Sequence, residues 1–104
     1  MRFKLLAGLL ATAILLPSFT HAQHNAELSR EIAPTGTLRA VINLGNPILA
    51  RQDPVTGMPV GVSVDLAHAL AQTLNLPLTL IPVSSAAQSV DLVTQSKADI
   101  GFFA

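Results

Sequence analysis

Hydrophobic positions along the chain fall into two kinds of run. Leu38-Arg39-Ala40-Val41-Ile42-Asn43 is almost continuously apolar, as a strand covered on both faces should be. Leu78-Thr79-Leu80-Ile81-Pro82-Val83 is a second such run. Its proline gives up a ladder donor, which predicts an edge strand or a strand end at Pro82. Asp99 to Ala104 reads as a third strand, on which Phe102 and Phe103 point to opposite faces. Between the first two strands, Val64, Leu66, Ala67, Leu70, Ala71 and Leu74 share one broad stripe at about 100° per residue. Asp65, His68 and Gln72 fall opposite, so a helix from Val64 to about Asn75 is predicted. Ser63 reads as its N-cap, Asp65 suits the positive end of its dipole, and Asn75 with Pro77 closes it. Ser84-Ser85 caps a weaker helix over Ala86 to Ser96, with Ala86, Val90 and Val93 turned inward. The order β-α-β-α-β predicts an α/β class with right-handed crossovers and a parallel sheet.

The segments between these runs are more polar. Residues 23–34 read as a mobile lead-in with a weak helical stretch from Ala26 to Ile32, ended by Pro34 and Gly36. Leu44-Gly45-Asn46-Pro47 stops the first strand. Asp53-Pro54-Val55-Thr56-Gly57 is a turn signal, and Ile48-Leu49-Ala50 with Met58 to Val62 would flank it as a small hairpin.

Charge and composition change the picture mainly at the N-terminus. Arg2 and Lys4 precede an apolar run from Leu5 to Leu16, Pro17-Ser18 breaks it, and Thr20-His21-Ala22 supplies small residues for a peptidase. This is the three-part pattern of a secretory signal, with cleavage expected after Ala22. The run is too short for a membrane span, which needs roughly 20 residues. Removing Arg2 and Lys4 leaves four basic and six acidic side chains in residues 23–104, a net charge of −2. With no basic stripe, a nucleic-acid partner is not expected. The chain has no cysteine, so disulfides, thiolate metal sites and a lipidated cysteine are excluded.

In an open parallel sheet, ligands bind where strands end at the carboxyl edge. That rule selects Asn43, Gly45 and Asn46 after the first strand, Ser84 and Ser85 after the second, and Phe102, Phe103 and Ala104 at the end of the third. Gly45 would let backbone approach a ligand, and Ser85 with the helix it opens offers donors to an anion. Helix capping by the serines and a plain turn at Gly45-Asn46 remain the competing readings. Enzyme motifs are missing. Gly61-Val62-Ser63-Val64-Asp65 begins like a nucleophile elbow but has Asp where the second glycine belongs. His68 lacks a second histidine at helical spacing, and with Asp65 it reads as part of a solvated face, so neither a metal site nor a cofactor is expected. Arg51, on the turn before the helix, reads as a surface charge that could alternatively grip a carboxylate.

Three segments, TGTLRAVIN, PVGVSVDLAHALAQTLNLP and KADIGFFA, in this order and spacing resemble the start of bacterial solute-binding protein family 3. These are periplasmic receptors of ABC importers for amino acids and similar solutes, and the likeness covers about residues 35–104. It implies part of lobe one of a type II periplasmic binding protein fold, the chain being an N-terminal portion of a longer two-lobed receptor. It further implies a non-enzymatic role: binding a small polar solute, an amino acid or organic acid, for delivery to an ABC transporter permease in the inner membrane. The full-length protein would be a monomer, and the family's carboxylate-gripping arginine would lie beyond Ala104. Periplasmic dehydratases resembling cyclohexadienyl dehydratase, lytic transglycosylase front domains and sensor modules use the same fold and remain alternatives. So does a prematurely stopped product. The chain by itself is expected to be marginally stable, with an exposed apolar face and an unpaired sheet edge.

Overall fold

The computed structural model describes residues 19–103 of the chain. In chain order its elements are α1 (Phe19–Ile32), β1 (Leu38–Asn43), β2 (Arg51–Gln52), β3 (Pro59–Val60), α2 (Val62–Thr73), β4 (Leu78–Val83), α3 (Ala86–Thr94) and β5 (Ile100–Gly101). β4, β1 and β5 form a parallel sheet in that spatial order, and β2 pairs antiparallel with β3 apart from it. The protein is therefore mixed α/β with a three-stranded parallel sheet, as the pattern predicts. Residues 1–18 of the expected signal and Ala104 lie outside the described residues.

β1 is the middle strand, which accounts for its unbroken apolar run: Leu38, Ala40, Val41 and Ile42 have no solvent exposure. Alternation then sorts the sheet into two faces. Leu38, Ile42, Leu78, Leu80, Ile100 and Phe102 pack with Val64, Ala71 and Ala50 beneath α2. Val41 and its register partner Gly101 take the other face, where Val93 of α3 comes within 3.6 Å of the position a Gly101 Cβ would occupy. The edge position expected for β4 holds. Leu38 N–H donates to Pro77 O and Leu44 N–H to Val83 O, so odd-numbered peptides of β4 face β1. Pro82 is even-numbered and faces outward, so its missing N–H removes no ladder bond.

Several boundaries and faces differ from expectation. The helix expected from Ala26 reaches back to Phe19, and its last turn is tied down rather than mobile. Ser29 Oγ donates to Leu74 O at 2.9 Å, while Ile32 and Ala33 join Leu38 and Ala71. α2 starts at Val62 with Gly61 as N-cap and no side-chain cap. Ser63 is instead buried in the first turn, its N–H donating to Leu49 O at 3.0 Å. The buried stripe of α2 is narrower than predicted. It runs through Ser63, Val64, Ala67, Ala71 and Leu74, leaving Leu66 52% exposed, because the helix meets the sheet through Ala67 and Ala71. α3 turns inward a face on which, of the three expected residues, only Val93 lies. Ser89 is fully buried, Leu92 and Val93 are half-buried, and Ala86 and Val90 are exposed. Its small side chain permits close packing, and its hydroxyl is satisfied by donation to Ser85 O at 3.4 Å.

The hairpin strands sit one to three residues from their expected places, because Asn46 nucleates a turn over residues 47–49. Asn46 Oδ1 accepts from Ile48 N–H, and Asn46 O accepts from Leu49 and Ala50. The Asp53 turn forms as predicted, its Oδ1 accepting from Val55 N–H at 2.7 Å and Thr56 N–H at 3.1 Å. β5 is shorter than the expected strand from Asp99 to Ala104: Asp99 precedes it, its carboxylate bonded to Arg39, and Phe102 and Phe103 lie beyond its last paired residue, Gly101.

Candidate functional site

From β1 the chain crosses to β4 on one side, then passes through α3 to β5 on the other. The strand order thus reverses about β1, and the carboxyl ends of β1 and β5 flank the switch point, where open α/β sheets bind ligands. Each expected site residue except Ala104, which lies outside the described residues, has a definite place on or beside this edge. Asn43 is buried at the end of β1, and its Oδ1 accepts from Gly45 N–H at 2.9 Å, closing a tight turn. Leu44 N–H extends the β1–β4 ladder to Val83 O, which brings Gly45 against Ser84.

Gly45 has a different purpose from the one expected. A Cβ there would stand 2.3 Å from the Ser84 carbonyl oxygen and 3.0 Å from Asn43 Oδ1. The space left by the missing side chain is filled by the neighbouring loop, not kept for a ligand. Gly45→Ala must push the two loops apart, at a cost of about 1–3 kcal/mol. The expected result is a lower Tm together with displaced Ser84 and Ser85 amide resonances. Unmoved resonances at those serines would show that the contact yields freely.

Ser84 and Ser85 form a capping arrangement around Gln88. Ser84 N–H and Oγ both donate to Gln88 Oε1, at 2.9 and 3.1 Å, while Ser85 Oγ accepts from Gln88 N–H at 3.2 Å. Ser85 and Gln88 have the S-x-x-Q spacing of a capping box, but the Gln88 side chain reaches Ser84, one residue before the N-cap. Both serines therefore play the structural role that competed with ligand binding, although as an acceptor Ser85 Oγ keeps its own proton to donate. Phe102 packs against Ile42, Ala50 and Val64, as does Leu44, which ties the end of β5 to the loop after β1. Phe103 lies on the opposite face and is 50% exposed, its ring crossing above Gly101. The edge thus gathers the β1 and β4 loops through Gly45 and Ser84, and the β1 and β5 ends through the cluster beneath Leu44 and Phe102.

Beside this edge, on the β4 side, lies an open groove of about 590 Å³. Its floor is Leu44, Pro82 and Val83, and its rim is Ser84 with Gln88, Asp91 and Gln95. Of the expected residues only Ser84 reaches it. The three rim side chains of α3 recur at helical spacing, a pattern that by sequence reads simply as a solvated face. Amides, a hydroxyl and one carboxylate over an apolar floor can orient a small polar molecule by hydrogen bonds. Arg51 is exposed on β2, away from the lining of this groove.

Sequence reasoning missed the ion pair at the other end of the sheet. Arg39 Nε and Nη2 donate to Asp99 Oδ2 and Oδ1 at 3.2 and 2.9 Å, and Arg39 backbone N–H adds a bond to Oδ2 at 2.8 Å. Asp99 N–H returns a bond to Arg39 O at 2.8 Å. Asp99 raises the Arg39 pKa, first through this side-chain hydrogen bond. Arg39 is thus committed to β5. The chain matches no family model, no curated protein and no solved structure.

Proposed function

We propose that the chain is the front part of lobe one of a periplasmic solute-binding receptor of the family 3 type. Residues 1–22 export it, and a small polar solute, an amino acid or organic acid, binds at the carboxyl edge without being transformed. An ABC permease receives the solute. The observation that carries this reading is the reversal of strand order about β1, which coincides with the loops that the three family-like segments lead into. Backbone at Asn46, the Ser85 hydroxyl and the half-exposed Phe103 ring supply polar contacts and one apolar wall. A single lobe covers only one side of a solute, so this chain alone holds it weakly.

Titration of the isotope-labelled chain with amino acids and small organic acids tests the proposal. Amide shifts are expected at Gly45, Asn46, Ser84, Ser85, Phe102 and Phe103, saturating in the millimolar range, on the order of −4 kcal/mol. Shifts gathered instead at Gln88, Asp91 and Gln95 would move the site to the β4 groove. An unchanged spectrum across the panel would defeat the solute-binding reading.

A further inference from the structure

The outer edge of β4 carries a hydrogen-bonding pattern that matches itself. Its odd-numbered peptides face β1, as the Pro77 and Val83 bonds require, so Leu78, Leu80 and Pro82 present theirs outward. Leu78 and Leu80 N–H meet no acceptor among the described residues. The strand LTLIPV has no charged side chain. Lysines, inward charges and bulges are the usual means of blunting such an edge, and here only Pro82 serves. We propose that this edge pairs with a second copy of the chain, antiparallel, about a two-fold axis at Thr79.

The proline selects that register. With the axis at Thr79, Leu78 lies opposite Leu80 of the second copy and Leu80 opposite its Leu78. Every outward N–H of both strands then meets an outward carbonyl. With the axis at Leu80, Pro82 would lie opposite Leu78, whose carbonyl would find no donor. Side chains agree with the same register. Thr79 is exposed on the α3 face and meets its own copy as a non-hydrogen-bonded pair, the closer of the two antiparallel spacings. On the α2 face, grooves of about 530 and 470 Å³ run beside the strand, lined in part by Leu76, Leu78, Leu80 and the exposed Met58. The second copy's leucines would cover them. The contact is isologous and closes as a dimer. This departs from the monomer expected of a full-length family member and does not depend on solute binding.

The absence of cysteine makes Thr79→Cys the only thiol in the chain. Paired as described, the two Cα atoms stand about 4.5 Å apart, within disulfide range. Mild oxidation is expected to give a covalent dimer, whereas Glu27→Cys on the exposed side of α1 stays largely free of cross-links. In sedimentation, wild type is expected to dimerise, Thr79→Lys and Thr79→Glu to run as monomers, and their equimolar mixture to dimerise again. Circular dichroism checks that each variant keeps the fold. Monomeric wild type at all concentrations, a mixture that stays monomeric, or equal cross-linking at Glu27→Cys overturns the proposal. So does capture of an extended synthetic peptide by an otherwise monomeric chain, which would assign the edge to a foreign strand.

Discussion

Gly61→Ala is expected to lower the stability of the fold by roughly 4 kcal/mol, the sum of two separate penalties. The first is conformational. Gly61 holds φ 128 and ψ −173, a combination open to glycine and strained for any L side chain, at about 1–3 kcal/mol. The second is steric. A Cβ would stand 2.8 Å from Leu49 O and 3.0 Å from Ala50 Cα, both backbone atoms that cannot rotate aside. Overpacking of this kind costs about 1–3 kcal/mol more. The strained residue lies at the N-cap of α2, next to the Ser63 N–H bond to Leu49 O, so the hairpin loop and the helix start loosen together. For a domain of this size the fall in Tm is roughly 15 °C or more. A calorimetric or circular dichroism melt measures it. A shift of only a few degrees would mean that the 49–50 loop moves without cost.

Asp99→Ala should be nearly as damaging, by about 2–3 kcal/mol, because it removes the three side-chain bonds to Arg39 and leaves only the Asp99 N–H bond to Arg39 O at the entrance of β5. The Asp99 side chain is 3% exposed and that of Arg39 23%, so the arginine can recover water while its backbone N–H loses its acceptor. Protection of the Ile100 and Gly101 amides from hydrogen exchange is expected to fall further than that of β4. Equal losses in both strands would argue that Asp99 supports the whole sheet and not β5 alone. The pair also sets a pH dependence. Burial pushes the Asp99 carboxyl up, but the side-chain and backbone hydrogen bonds of Arg39, with its charge, outweigh this and hold it below the ordinary range. A carboxyl depressed in the folded state stabilises fully above its unfolded pKa and ceases to do so as pH falls through the folded value. Stability should therefore be flat near neutrality and decline below about pH 4. Asp53, lowered mainly by the Val55 and Thr56 N–H groups, follows the same sign. Asp99→Asn should make the acid decline shallower while leaving the Asp53 share in place.

Particular residues show how far reading the chain can go. The burial of β1 on both faces, the edge strand implied by Pro82, the Asp53 turn and the Ser85 cap all follow from neighbours within a few positions, and each is present. The faces of α2 and α3 could be read only in part. Val64, Ala67, Ala71 and Leu74 are buried as the α2 stripe predicts, but Leu66 and Val90, which hydropathy favours, are exposed, and Ser89 is the buried residue of α3 because a small side chain lets a helix approach a sheet closely. The site residues divide likewise. Asn43 to Asn46 and Ser84-Ser85 were correctly located at strand ends, but their polar groups are largely spent on turns and caps.

By itself, then, the order of apolar runs and punctuating Pro, Gly, Asn and Ser residues determined the α/β class, the parallel sheet and the edge to which loops are delivered. Those outcomes depend on period and on chemistry within one or two turns of chain. Only the tertiary structure decided that Gly45 yields its space to Ser84, that Gly61 caps α2, and that Arg39 closes on Asp99, 60 positions away. Such contacts join residues that no local pattern relates. They form because packing brings backbone atoms close enough to forbid a Cβ, or a buried carboxylate close enough to require a partner.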